Sequence, residues 1–226
     1  GETGAKRVLR DRLGRVVEDV ELINAAQPGR TLASSLDLRV QYLAYRELKQ
    51  AVLDSDALSG SVVILDVTNG EVLAMVNQPS YNPNDRAQLE VARYRNRAVT
   101  DIFEPGSSFK PLIVAAALES GRYGPDSIID TSPGYLRVGG KILTEDYNNL
   151  GKIDITTMLA KSSSVGAGKL GLELEPEQLW AVLSSFGIGR LTDSGFPGES
   201  AGVLNHPRYW RPVGQATLAY GYGLSV

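Results

Sequence analysis

Residues 61–77 constrain the fold more than any other stretch of this chain. Ser61 to Val67 is β-branched and nearly all apolar, and Thr68-Asn69-Gly70 supplies a strong hairpin turn. Glu71 to Asn77 reads as the returning strand. Two strands without neighbours are only marginally stable in water, so so apolar a hairpin predicts a buried strand that belongs to a larger sheet. The preceding segment reads as a helix. From Asp37 to Leu53 the apolar positions Leu38, Tyr42, Tyr45, Leu48 and Val52 recur at three and four, and Asp37 stands where an N-cap belongs.

The rest of the chain is less uniform. Arg7 to Asp11 and Arg15 to Val20 alternate in polarity around Leu13-Gly14, which predicts a second hairpin, followed by a connector at Gln27-Pro28-Gly29. Pro105-Gly106 precedes a helix with Phe109, Leu112, Ile113, Ala116 and Ala117 on one face, stopped at Gly121. Gly124 to Gly140 is rich in turn residues. Helices are expected around Ile155 to Lys161 and from Pro176 to Phe186, with a loop-rich tail from Gly187 onward.

Composition excludes several kinds of chemistry. The 226 residues suit one large domain, or one domain with a small appendage. The 23 basic and 26 acidic residues are interspersed, so no basic stripe for nucleic acid exists. The longest apolar run, Leu112 to Leu118, is far too short to span a membrane. With no cysteine, thiol catalysis and thiolate metal sites are out. The single histidine, His206, would have to serve any Ser-His-Asp triad, so a serine nucleophile here more naturally takes a lysine or a carboxylate as base.

Ser107 and Lys110 offer that pair. Residues three apart share a helical face, so the Lys110 amine is expected to reach the Ser107 hydroxyl. At the first turn of a helix, Ser107 would also have free backbone N–H groups beside it to favour an oxyanion. To act as a base Lys110 must be neutral, which burial or a neighbouring cation such as Lys161 would promote. A chain with 19 serines and 7 lysines holds such a pair by chance, however, and the spacing alone fits an N-capping serine beside a solvated lysine equally well.

The surrounding string decides between them. Glu104-Pro105-Gly106-Ser107-Ser108-Phe109-Lys110-Pro111 resembles the active-site motif of the penicillin-binding transpeptidases. Ser35 to Gln41, Leu65 to Met75, Arg95 to Ala98, Gly195 to Glu199 and Ala219 to Ser225 are also similar to segments of class B members, above all the division-specific enzymes of Gram-negative bacteria. The resemblance runs from about Arg7 to Val226.

It implies the α/β penicillin-binding, serine β-lactamase-like fold, an antiparallel sheet flanked by helices. Ser107 would be the acylated nucleophile, Lys110 its base and Ser162 a proton-shuttling serine. Lys161, Ser164 and Ser108 would lie on the substrate side. Ser164 departs from the family's pattern, Lys-Ser-Ser-Asn, in which the Asn holds the substrate's amide. Ser162 to Ser164 also reads as a helix N-cap cluster.

The family's Lys-Thr-Gly element and membrane anchor are both missing from these residues. The expectation is therefore a piece of a longer protein. Residues 1–30 would be a remnant of a non-catalytic pedestal, and residues 31–226 the N-terminal and central part of the transpeptidase domain, without its C-terminal strands. The implied function is peptidoglycan D,D-transpeptidation through a serine acyl-enzyme in septal wall synthesis on the periplasmic side of the inner membrane. Stem peptides would be the substrates, β-lactams the covalent inhibitors and divisome membrane proteins the partners, with no cofactor. The alternatives are a catalytically silent penicillin-binding scaffold or sensor, and a D,D-carboxypeptidase or β-lactamase.

Overall fold

The computed structural model describes residues 1–85, 90–146 and 148–226. The chain opens with strands β1 (Ala5–Arg10) and β2 (Val16–Asn24), paired antiparallel. Asp11 closes the turn by accepting from the backbone N–H groups of Leu13 and Arg15. Lys6–Asp19 and Arg7–Glu21 ion pairs cross the ladder on its exposed surface, where such pairs contribute little. This hairpin is exposed along almost its whole length.

Helix α1 (Leu38–Asp54) starts at Asp37, whose carboxylate accepts from Arg39 N at 2.8 Å and Val40 N at 3.3 Å. Its apolar face buries Ala44 and Leu48 against Ala74 and Val76 of β4 (Val72–Gln78), the partner of β3 (Gly60–Leu65). Gly70, at φ +78°, gives the connecting turn the left-handed conformation it needs. Segment 35–41 lies along the outer edge of β4. Asp37 N donates to Leu73 O, and the Gln41 side chain both donates to Met75 O at 2.9 Å and accepts from Met75 N at 2.8 Å. The amide of Gln41 thus does what a neighbouring strand would do.

One expectation fails here. The apolar run in β3 predicted a buried strand, but its residues alternate between half-buried and exposed, with Val63 and Leu65 facing solvent. A helix can cover only one face of a two-stranded ribbon. The inward side chains of β3, Val62 and Ile64, pack on the α1 core, and the opposite face has no cover among the described residues.

The remaining helices pack around α3 (Lys110–Glu119), which continues a 3₁₀ turn at Gly106–Phe109. A short helix, α2 (Arg97–Thr100), precedes that turn. Around α3 stand α4 (Ile155–Ala160), α5 (Ser164–Glu173) and α6 (Pro176–Ser185), with α7 (Pro212–Leu218) against α5. Ile113, Met158, Leu170, Leu179 and Leu183 are fully buried between them.

The turn-rich stretch 124–140 proves to hold strand β5 (Ile128–Asp130) and strand β6 (Tyr135–Val138). They pair with β8 (Lys152–Asp154) and β7 (Lys141–Glu145) respectively. Helix α7 also lay outside the expectation, whereas α5 follows the serine cluster that reads as an N-cap. In α5 the glycines that weaken helix propensity are packing requirements: a Cβ on Gly168 would come within 2.4 Å of Leu136, and one on Gly171 within 2.5 Å of Ala219. In sum this is a mixed α/β fold of short antiparallel sheets and helices.

Candidate active site

Ser107 sits on the 3₁₀ turn at the N-terminal end of α3, exposed, with its hydroxyl unbonded among the described residues. Two features fix this turn. Gly106 adopts φ +58°, and its N–H donates to Gly221 O at 3.1 Å. The two backbones are so close that a Cβ on Gly221 would lie 2.0 Å from Gly106 O. On either side, Phe103 and Val226 exchange both backbone hydrogen bonds at 3.0 Å, and the Glu104 carboxylate accepts from Gly223 N at 2.7 Å. The strand-like segment that follows α7 therefore braces the turn that carries Ser107.

Lys110 lies one turn on and is buried to 1% exposure. Its ammonium does not bond Ser107, contrary to the expectation from their spacing. It reaches instead across to the loop between α4 and α5, donating to Ser162 O, to Ser162 Oγ at 3.1 Å and to Ser164 Oγ at 3.0 Å. Those three acceptors use all three N–H donors of a charged lysine. Burial moves Lys110 below the usual lysine range, and the neighbouring charge that acts on it is the Asp146 carboxylate, which pulls it back up. Lys161 plays no part in this. It caps the exposed end of α4 and does not supply the cation that the sequence suggested.

The serine cluster divides its labour. Ser163 is buried and caps α5, accepting from Gly166 N at 2.8 Å, so the N-cap reading holds for that residue. Ser162 takes φ +53°, unusual for a residue with a Cβ. This backbone turn lets the Ser162 carbonyl and hydroxyl both meet the same amine. Ser164 retains a contact with Lys110 although it is shorter than an asparagine. Ser108, by contrast, spends its hydroxyl on Pro105 O at 2.6 Å and serves the turn itself.

Sequence reasoning missed Asp146. From the loop after β7 its carboxylate accepts from Ser163 Oγ, from Ser164 N at 2.7 Å and from Val165 N at 3.2 Å. No periodicity or motif marks it, because its partners are 17–19 residues away.

The chain is similar to known proteins. Residues 60–226 match the family described as the penicillin binding protein transpeptidase domain. The whole chain is 41% identical to the probable peptidoglycan D,D-transpeptidase PenA of Neisseria flavescens, covering 56% of that protein. It is 42% identical to the peptidoglycan D,D-transpeptidase FtsI of Escherichia coli K12, covering 38% of it. The chain thus spans roughly two fifths to just over half of these relatives' length. Among solved structures, the apo transpeptidase domain of Burkholderia pseudomallei penicillin-binding protein 3 superposes with a TM-score of 0.76 at 37% identity, over 88% of this chain and 56% of that one. A crystal structure described as a peptidoglycan glycosyltransferase from Burkholderia ambifaria gives 0.77 at 39% identity, over 86% of this chain and 57% of that one. On sequence and fold together, this chain belongs to the penicillin-binding protein transpeptidase domain family, within its class B branch.

Proposed function

We propose that the protein containing this chain is a peptidoglycan D,D-transpeptidase that cross-links stem peptides through an acyl-enzyme on Ser107. The observation that carries this reading is the buried Lys110 amine held by Ser162 and Ser164, on the helix whose first turn carries an exposed, unbonded Ser107 hydroxyl. In its neutral form Lys110 has a lone pair and two N–H donors. It takes the Ser107 proton as Oγ attacks the penultimate D-Ala carbonyl, and the backbone N–H at the turn faces the developing oxyanion. As the C–N bond breaks, that proton passes from Lys110 through the Ser162 hydroxyl to the departing D-Ala nitrogen. An amine of a neighbouring stem then attacks the ester carbonyl, gives up its proton by the reverse route and frees Ser107.

Ser164 supports the enzymatic reading over a silent scaffold, because it keeps the polar contact to Lys110 that the site needs. What it gives up is reach toward the substrate's amide; Lys161, exposed at the end of α4, and Ser108 stay on the substrate side in this reading. β-Lactams would mimic the donor and trap Ser107. By the same reading the protein works on the periplasmic side of the inner membrane, at the septum, with divisome membrane proteins as partners. Residues 1–30 belong to its pedestal and residues 31–226 to its transpeptidase domain.

The test is mass spectrometry of the complete protein after incubation with a penicillin. One adduct, mapped to Ser107, is expected. An adduct on Ser162, or none at all, overturns the assignment.

A further inference from the structure

We propose that Asp146 is a positioning residue of this site, holding Ser162 and Ser164 against Lys110. The proposal rests on the transpeptidase reading above and extends it to a residue that touches none of the reacting atoms.

The geometry is that of a single bracket. The carboxylate accepts from Ser163 Oγ and from the N–H groups of Ser164 and Val165, so it grips the chain at the point where the serine loop becomes α5. Those N–H groups are among the orphan donors of the helix start, and an anion there also suits the helix dipole. On the other side of the same residues, Ser162 O, Ser162 Oγ and Ser164 Oγ all face Lys110 Nζ. Ser164 is the hinge of the arrangement, since its N–H goes to Asp146 and its hydroxyl to Lys110. Ser162 is held at φ +53°, a conformation that a serine adopts at a cost and keeps only where its surroundings enforce it. The end of α4 sets that conformation, with Ser162 N–H donating to Leu159 O and Ser163 N–H to Met158 O, both at 3.0 Å, and the Asp146 carboxylate takes hold of the chain from Ser163 onward.

Asp146 also sets the charge around the base. Burial disfavours the Lys110 ammonium, and the Asp146 carboxylate opposes it. No other charged group packed near α3 shares this role among the described residues. Lys161 at the end of α4, Glu177 on α6 and Glu119 on α3 itself are exposed. Lys169 on α5 donates to the carbonyls of Asp130 and Ser132, Glu173 on α5 accepts from Tyr123, and Glu104 accepts from Gly223 N. Asp146 is thus the charge against which the base titrates.

The experiment uses the complete protein and measures the second-order rate of Ser107 acylation by a penicillin across pH. Asp146→Asn keeps the size and one acceptor oxygen but removes the charge. Its rising limb is expected to move to lower pH, with a plateau about tenfold lower. A limb that stays in place overturns the proposal, because a merely structural residue would lower the yield of folded protein without moving the limb. Asp146→Glu keeps the charge and displaces it, so its limb should stay near the wild-type position while its plateau falls. Should the Asn variant fail to fold, the Glu variant decides alone, and a wild-type plateau overturns the proposal. A wild-type protein that is not acylated counts against the transpeptidase reading itself. An acylated wild type with an unmoved Asn variant counts against Asp146 only.

Discussion

Helix α1 on its hairpin and helix α3 with its serine loop both bring polar groups to an apolar core, and they do so in opposite ways. Along β4, Gln41 pairs both its amide groups with Met75, and Asp37 caps α1 from the surface. Nothing there is charged and buried, although Asp56, just past the end of α1, also takes positive φ at +48°. Around α3, a lysine is buried to 1% exposure, a serine is held in left-handed backbone and two glycine backbones nearly touch. The first region is built for stability. The second carries a buried amine that stability alone would remove, which supports the reading of the site proposed above.

The sharpest way to break this contrast is Lys110→Met. A thioether of similar length fills the same space without a buried charge, so acylation should fall about 10⁴-fold while the melting temperature holds or rises. The pH dependence should change as well. The wild type gains stability as pH rises toward the ordinary lysine value, because the unfolded chain keeps that proton longer than the folded one. The Met variant lacks this gain. A Met variant that melts well below the wild type at neutral pH would mean that the amine is there for stability.

Ser162→Gly separates backbone from hydroxyl. Glycine accepts φ +53° freely, so the loop keeps its shape and loses only the proton carrier. Acylation should slow about 100-fold with no loss in thermal stability. An unchanged rate would remove Ser162 from the relay.

Gln41→Leu should show the converse in the other region. It leaves Met75 N–H and C=O unpaired at a partly buried edge, a loss of about 1–3 kcal/mol visible as a lower denaturation midpoint. The acylation rate of the folded protein should not move, and a slowed rate would join the two regions into one functional unit.

The smallest effect is expected of Asp37→Asn. Asparagine still caps a helix, so only the charge is lost. The Arg39 side chain, then the backbone N–H groups of Arg39 and Val40, hold the Asp37 carboxyl below the usual carboxylate range. The benefit of the charge is therefore complete above about pH 4 and fades as pH falls through the depressed value. A melting difference of about 1–2 °C at neutral pH that vanishes in strong acid is the expected pattern, and a difference that grows on acidification would contradict it.

The same two regions explain what the sequence disclosed. Asp37, the Thr68-Asn69-Gly70 turn and the apolar period of α1 act within a few residues of themselves, so their meaning survives without the fold. The motif around Ser107 was legible because it is contiguous. Ser162 and Ser164 came from the resemblance, whereas spacing alone aimed Lys110 at Ser107, because i,i+3 places two side chains on one face but does not say that a buried amine will prefer acceptors on another loop. Strands β5 to β8 have only three to five residues each, too few to show a period. The glycines of α5 read as helix breakers until Leu136 and Ala219 are seen against them.

The bond from Gly223 N to Glu104 joins residues 119 apart. Closing so long a loop is slow and comes late in folding. During synthesis the turn carrying Ser107 leaves the ribosome well before the segment that braces it, so the nucleophile exists as sequence long before it exists as geometry. Penicillin labelling of nascent chains should then work as a clock, silent until the chain has emerged past Val226 and folded back on Phe103.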